Sequence, residues 1–250
     1  MYIDAPAQAQ EGALRRLWKE AFGDGDAFLD AFFTTAFSKD RCLCVTCQGH
    51  MAAALYWFDC ILAGKKIAYL YGVATAKAFR GQGLCKKLMG KTHDLMQDRG
   101  YAATVLVPGQ ESLFRFYGAM GYRPCSPVGY LQCTAGDAPV ALRSIDAQEY
   151  GTIRRGLLPP GGVVQEEENL TFLQTQLQLY AGEHFLLSAR CESGVVSAME
   201  LLGNTAKAPG IVKALGCDRG RFRVLGKKEY AMYYPFEDIE APGYFGLAFD

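Results

Sequence analysis

Val73-Ala74-Thr75-Ala76-Lys77-Ala78-Phe79-Arg80-Gly81-Gln82-Gly83-Leu84-Cys85 joins a buried strand to an amphipathic helix through a glycine-bearing turn. The strand before it, Ile67 to Ala74 (IAYLYGVA), is a continuous apolar and aromatic run, the pattern of a central strand covered on both faces. The helix after it, Leu84 to Arg99, turns Leu84, Leu88, Met89, Leu95 and Met96 inward and ends at Gly100. Between them, Gly81 and Gly83 let the backbone approach a ligand with no Cβ in the way. The N–H groups of such a turn and of the first helical turn converge on one spot, and the helix dipole makes that spot suit a pyrophosphate. Lys86, Lys87 and Lys91 follow on the helix and could meet a further phosphate. An ordinary strand–helix loop with a solvated lysine face is the alternative, and a lone Gly-x-Gly does not exclude it.

Outward from this loop the elements form a consistent order. Glu11 to Phe22 and Asp26 to Phe37 read as helices. Cys42 to Thr46 and Ala52 to Phe58 flank Gln48-Gly49-His50 as a hairpin. Downstream, Ala102 to Val107 is a strand stopped by Pro108-Gly109, Glu111 to Met120 is a short helix stopped by Gly121, and Tyr130 to Cys133 is a last strand of the unit. The order α-α-β-β-β-α-β-α-β predicts a mixed central sheet flanked by helices, an α/β fold.

Two blocks carry a resemblance. Arg80-Gly81-Gln82-Gly83-Leu84-Cys85 resembles the acyl-CoA signature Q/R-x-x-G-x-G/A of the GNAT superfamily of N-acyltransferases, with Cys85 in place of the last small residue. Phe114-Arg115-Phe116-Tyr117-Gly118-Ala119-Met120-Gly121-Tyr122, about thirty residues on, resembles the family's FYxxxGF helix end. The resemblance covers about residues 1–134. No G-x-G-x-x-G follows the strand and no G-x-x-x-x-G-K-[ST] is present, so dinucleotide and P-loop readings are excluded.

The resemblance implies a GNAT fold and an acyl-CoA-dependent N-acyltransferase with acetyl-CoA as cosubstrate. Backbone groups at Val73, Ala74 and Thr75 would align the pantetheine. The segment Arg80, Gly81, Gln82, Gly83, Leu84, Cys85, with Lys86, would hold the pyrophosphate, and Ser112 would add a hydrogen bond to the CoA or cap its helix. Tyr117 stands where family members place a tyrosine that protonates the leaving thiolate; as a bare residue it is also a packed aromatic beside Phe116 and Tyr122. Family members often carry a Glu on the central strand, but this chain has Tyr69, Leu70, Tyr71 and Gly72 there. Glu111 is the candidate base, with Asp59, the chain-end carboxylate at Asp250 and a water relay as alternatives. His93 reads as a surface residue. The acceptor would be a small-molecule or peptide amine; Tyr56, Trp57, Phe58, Tyr69 and Tyr71 are either its apolar pocket or core.

A GNAT core does not use all 250 residues. Ala135-Gly136-Asp137-Ala138-Pro139 has linker composition, which divides the chain into 1–134 and 138–250. Ala9 to Arg16 aligns with Ala147 to Arg155, and Cys47 to Ala54 with Cys191 to Ala198, so the second unit reads as a degenerate GNAT-like copy without the phosphate loop. It is expected to cover one side of the acceptor cleft. Its tail, Tyr230 to Phe236 and Tyr244 to Phe249, reads as two aromatic strands.

Composition bounds the rest. Lys plus Arg and Asp plus Glu are 26 each, so nucleic acid is not an expected partner. No apolar run approaches the ~20 residues of a membrane span. The start Met1 to Pro6 shows no basic and apolar leader pattern, so a cytoplasmic location is expected. The nine cysteines then read as free, small apolar residues, and no metal is expected: Cys42 and Cys44 share a strand face, Cys47 takes the other, and no second ligand pair follows. The oligomeric state is not legible. Two functions of different class fit: an acyl-CoA-dependent N-acetyltransferase, or a non-catalytic acyl-CoA-binding sensor or partner-binding module, to which the missing strand carboxylate would belong.

Overall fold

The computed structural model describes residues 1–249. In chain order it runs β1 (Tyr2–Asp4), α1 (Glu11–Phe22), α2 (Asp26–Thr35), β2 (Cys42–Cys47), β3 (His50–Leu62), β4 (Lys65–Thr75), α3 (Leu84–Asp98), β5 (Ala103–Leu106), α4 (Glu111–Gly118), β6 (Arg123–Cys125) and β7 (Val128–Thr134). It continues with β8 (Leu142–Ser144), α5 (Ala147–Leu157), β9 (Val164–Gln165), α6 (Glu168–Gln176), β10 (Gln178–Gly182), β11 (Phe185–Glu192), β12 (Val195–Gly203), α7 (Ala208–Ala214), β13 (Arg219–Leu225) and β14 (Ala231–Pro235).

These strands form two mixed sheets. The first has the order β1-β2-β3-β4-β5-β14-β6, with β9 added to β3, and the second β7-β13-β12-β11-β10-β8. Each sheet has one parallel pair, β4 with β5 and β12 with β13. Read from β8, the second sheet follows the first position for position: β8, β10, β11, β12, β13, β7 stand for β1, β2, β3, β4, β5, β14. The helices agree, with α5 and α6 standing for α1 and α2, and α7 for α3. The copy is thus a property of the fold. Ala9 to Arg16 and Ala147 to Arg155 do fall on equivalent helices.

The second sequence alignment corrects. Cys47 to Ala54 spans the turn between β2 and β3, whereas Cys191 to Ala198 spans the β11–β12 turn, whose equivalent is β3–β4. The misregistration has a local cause. Two-residue hairpin turns with positive φ recur at Gln48-Gly49 (+50°, +80°), Ala63-Gly64 (+50°, +77°) and Ser193-Gly194 (+50°, +74°). All three demand similar residues whatever their place in the sheet.

The strand assignments near the boundary also correct. Tyr130 to Cys133 lies within β7, which pairs with β13 in the second sheet, not the first. In return β14, from the far end of the chain, lies between β5 and β6 in the first. Each sheet therefore takes the strand beside its parallel pair from the other half of the chain. Ala135 to Pro139 is no free linker: Ala135 N donates to Asp218 O at 2.8 Å and Gly136 N to Pro209 O at 2.9 Å. Of the tail, Tyr230 to Phe236 holds β14 as expected, but Tyr244 to Phe249 is not a strand and makes a single bridge, Gly162 to Tyr244.

The first sheet is covered on both faces, and strand alternation sorts the side chains. Tyr56, Phe58 and Tyr69 turn to α1 and α2, against Leu14, Trp18, Leu29 and Phe32. Leu55, Trp57 and Leu70 turn to α3, against Leu84, Leu88, Met89 and Met96. Each such side chain, fully buried, contributes ~1.5–3 kcal/mol of hydrophobic stabilisation. Cys42 and Cys44 join the first of these cores and Cys47 packs at the second, as strand alternation requires. All nine cysteines are free thiols. Burial pushes the Cys44 thiol up to about 11 and that of Cys125 up to about 12, so both stay neutral. Among the described residues no cluster of His, Cys, Asp and Glu has metal-holding geometry, and no helix is long and apolar enough to cross a membrane.

Candidate functional site

The site begins where two central strands part. β4 and β5 pair in parallel at Ile67–Ala103, Ala68–Thr104 and Tyr69–Val105, and there the ladder stops. β4 runs on to Thr75, while the chain after β5 meets Pro108, which has no N–H to continue a ladder. Leu70 to Thr75 thus offer an edge of ~20 Å with no β5 partner. Within that edge β4 carries a bulge: Gly72 and Val73 together face Leu55 between the pairs Tyr56–Tyr71 and Ala54–Ala74. Gly72 has φ +58°, and a Cβ there would lie 2.8 Å from the Trp18 ring, so this position admits glycine alone. The bulge directs the backbone at Val73 toward the gap, while Ala74 and Thr75 return to the β3 ladder.

Beyond Thr75 the chain enters the turn. Arg80 Nε donates to Thr75 O at 3.1 Å and holds the loop to the strand end. Gly81 and Gly83 take φ +76° and +71° and have open space where a Cβ would be, so glycine is required by conformation and not by crowding. Gly83 caps α3 without a side-chain hydrogen bond, and the first helical bond onto the loop is Lys87 N to Gly83 O. The N–H groups of Gly81, Gln82, Gly83, Leu84, Cys85 and Lys86 donate to no acceptor among the described residues. Six donors at the positive end of a fifteen-residue helix fit an anionic phosphate group. Buried Leu84 anchors the turn, while Arg80, Lys86, Lys87 and Lys91 are exposed and form no ion pair among the described residues. The Cys85 thiol is half-buried and pushed by burial up to about 11, so it adds no negative charge to this spot. The equivalent turn before α7 holds Asn204 to Lys207 and no glycine, and α7 is seven residues long with Pro209 in its first turn. The second unit therefore has no equivalent donor array.

Tyr117 stands beside the donors. It is 7% exposed, its ring packs on Phe116 and Tyr122, and its Oη bonds to no described residue. Burial raises its phenol pKa well above the ordinary value, and the neighbouring Cys85 adds to the shift, so the group is a neutral O–H donor. Beneath it, Tyr122 Oη shares hydrogen bonds of 2.8 Å with Thr104 Oγ1 and with His93 Nε2. His93 is thus no surface residue. It stacks on Tyr234 at 4.3 Å, and burial lowers its pKa to about 4, so it is neutral. The signal was present in the sequence: position 93 lies four residues after Met89 and three before Met96, on the apolar stripe of α3.

The carboxylates separate. Glu111 and Ser112 are exposed in the first turn of α4, and neither side chain bonds to a described residue; an acid there favours the helix dipole. Asp59 accepts from Tyr101 Oη and pairs with Lys66 at 3.0 Å. It lies opposite Ala68, seven residues or ~23 Å of strand from Thr75, at the wrong end of β4. Asp250 lies outside the described residues. Phe249 before it is tied to β4, its N donating to Tyr69 Oη at 3.1 Å. Of the aromatics weighed as an acceptor pocket, Trp57 faces α3 and Tyr56 and Phe58 are core, while Tyr71 is half-buried beside the bulge. Two surface clefts of about 490 and 410 Å³, lined by Gln132, Arg219 and Arg221 and by Gln148, Arg155 and Glu166, lie on the second unit away from these groups.

Comparison with known proteins agrees with this geometry. Residues 3–125 match the family described as an acetyltransferase (GNAT) domain. No curated protein matches the chain significantly in sequence. Among solved structures, a GCN5-related N-acetyltransferase from Kribbella flavida aligns at TM-score 0.71 and 17% identity, over 94% of this chain and 70% of its own. A GCN5-related N-acetyltransferase from Anabaena variabilis aligns at TM-score 0.73 and 11% identity, over 93% and 72%. A tandem GNAT protein from the clavulanic acid biosynthesis pathway aligns at TM-score 0.60 and 9% identity, over 96% and 99%. The overlap with a tandem protein along nearly its whole length accords with the two matching sheets. Through residues 3–125 the protein belongs to the GNAT superfamily of acetyltransferases, with a second GNAT-like unit built onto that domain.

Proposed function

We propose that the protein transfers an acetyl group from acetyl-CoA to a primary amine by direct attack. One observation carries this: six unengaged N–H donors at the start of α3 open onto the unpaired edge of β4, with the neutral Tyr117 phenol beside them. The Arg80–Cys85 turn with Lys86 would hold the pyrophosphate, and the backbone of Val73, Ala74 and Thr75 the pantetheine arm, with Ser112 at its margin. The thioester supplies the activated acyl carbon. The amine nitrogen forms the new N–C bond as the C–S bond breaks, and Tyr117 gives its proton to the departing sulfur. The amine's surplus proton leaves through Glu111 or a water chain and restores Tyr117, so amine plus acetyl-CoA yields amide plus free CoA thiol.

A non-catalytic acyl-CoA sensor is the second reading, favoured by the absence of a carboxylate at Tyr69 to Gly72. Incubation with acetyl-CoA and a panel of primary amines, followed by thiol release, separates the two. Amine-dependent thiol is expected, falling ~100-fold or more in Tyr117→Phe. Acetyl-CoA binding with no turnover across the panel would leave the sensor.

A further inference from the structure

Tyr244 to Phe249 forms neither helix nor strand, yet Tyr244, Phe245, Leu247 and Ala248 are at most 1% exposed. Irregular backbone is ordinarily kept at the surface because its polar groups need partners. Here side chains from three elements supply the partners. Arg223 of β13 reaches Gly246 O at 3.0 Å and Ala248 O at 3.3 Å. Gln165 of β9 donates to Leu247 O at 3.0 Å. Tyr69 of β4 accepts from Phe249 N at 3.1 Å and donates to Phe249 O at 3.4 Å. Successive carbonyls from 246 to 249 are thus claimed by the second sheet, by β9 and by the central strand of the first.

The clamp delivers one ring to one place. Phe249 packs on Phe172 at 5.0 Å, Phe58 at 5.1 Å and Tyr71 at 5.5 Å. Tyr71 is the residue before the Gly72–Val73 bulge, and Tyr71 and Phe249 are the half-buried rim of an otherwise buried cluster. This rim lies on the α1–α2 face of the sheet, whereas the donor turn, α3 and Tyr117 lie on the opposite face. The splay between β4 and β5 is where the two faces communicate. An acyl group entering from the α3 face would reach through this gap the face on which Phe249 lies.

We infer that Arg223 and Gln165 are positioning residues that fix Phe249 as a specificity-determining wall of the acceptor site, and that the acceptor is a primary amine bearing an aromatic or apolar group. Among the described residues, the rim formed by Tyr71 and Phe249, and the buried Phe58, Tyr69 and Phe172 behind it, bring no carboxylate to pair with a second cation. A desolvating wall also favours the neutral amine over the ammonium, and the neutral form is the nucleophile. That accounts for a central strand without a base. The inference rests on the acetyl-transfer reading.

The test compares wild type, Phe249→Ala and Gln165→Leu with acetyl-CoA and three amines: phenethylamine, cadaverine and glycinamide. Wild type is expected to favour phenethylamine over cadaverine at least tenfold in kcat/KM. Both variants should cut that ratio at least fivefold through the amine KM, with the acetyl-CoA KM within twofold of wild type. Phe249→Ala, at the rim, keeps the test alive should Gln165→Leu fail to fold. Wild-type preference for cadaverine, an unchanged ratio in Phe249→Ala, or a parallel shift in the acetyl-CoA KM would overturn the inference alone. Acetyl-CoA binding with no wild-type turnover would overturn the transfer reading and the inference with it.

Discussion

Ending the chain at Asp137 probes the strand exchange directly. That cut follows the apparent linker, so a two-bead arrangement would leave the first domain whole. The sheet topology says otherwise. β14 makes four register pairs with β5 and three with β6, and the cut removes a strand from inside the first sheet. Tyr230, Met232, Tyr233 and Phe245 leave with it, all at most 8% exposed and packed in the first unit's two cores. At ~1.5–3 kcal/mol each, their burial contributes ~6–12 kcal/mol. Compact denatured states make this an upper estimate. It still matches the ~5–15 kcal/mol net stability of a whole domain. β7 would in addition lose its strand partner β13 and present an unpaired edge. Residues 1–137 are therefore expected to aggregate or to melt without cooperativity in far-UV circular dichroism. A matched chain supplies the control. Cys125 and Ala231 are register neighbours on antiparallel strands, so residues 1–125 joined by Asn-Gly to residues 231–236 make a continuous β6–β14 hairpin. That chain should recover a cooperative transition. A monodisperse 1–137 melting cooperatively within a few degrees of the full protein would refute the reasoning.

Other consequences follow from single groups. Burial raises the Tyr117 phenol, so its acid form persists above the ordinary phenol value of ~10 and should cause no loss of kcat on the alkaline side below that pH. A fall in kcat centred below pH 9 that Tyr117→Phe abolishes would contradict this. Gly83→Ala places a Cβ on a residue at φ +71°, which costs ~1–2 kcal/mol of strain or a reorganised turn. CoA affinity by calorimetry should fall about tenfold, and a change under twofold would remove the turn from the binding site. Arg154 and Glu200, 1% and 0% exposed, pair at 2.8 Å in the second unit. Arg154→Met strands the Glu200 carboxylate, so urea denaturation should show a loss of ~3–5 kcal/mol, partly recovered when Glu200→Leu is added.

The helices around the site were legible because their signals are local. Glu11–Phe22 and the start of α3 at Leu84 follow from apolar spacing and from glycine at the turns. The strand exchange was not, because pairing is a non-local choice. The apolar run in Tyr230 to Phe236 marks a buried strand, but no residue in it names Ala103 to Leu106 as its partner rather than a neighbour in its own half. Turn chemistry misled for the opposite reason: it is so local that three hairpins share it, and similarity between two of them says nothing of their place in a sheet.

Arg223 shows where the limit lies in the second sheet. In β13, Arg219, Arg221 and Arg223 alternate with Gly220, Phe222 and Val224, so period-two reading sends all three arginines to solvent. Arg219 and Arg221 are indeed exposed, but Arg223 is 6% exposed on the same strand face. The periodicity is correct and the solvent is missing, because the tail crosses that end of the sheet and puts two carbonyls against the guanidinium. A planar, permanently charged donor suits that task, since one Nη reaches both oxygens while the ring of Tyr230 lies under the charge at 4.6 Å. The residue that joins the second sheet to the tail was thus hidden by looking like ordinary surface.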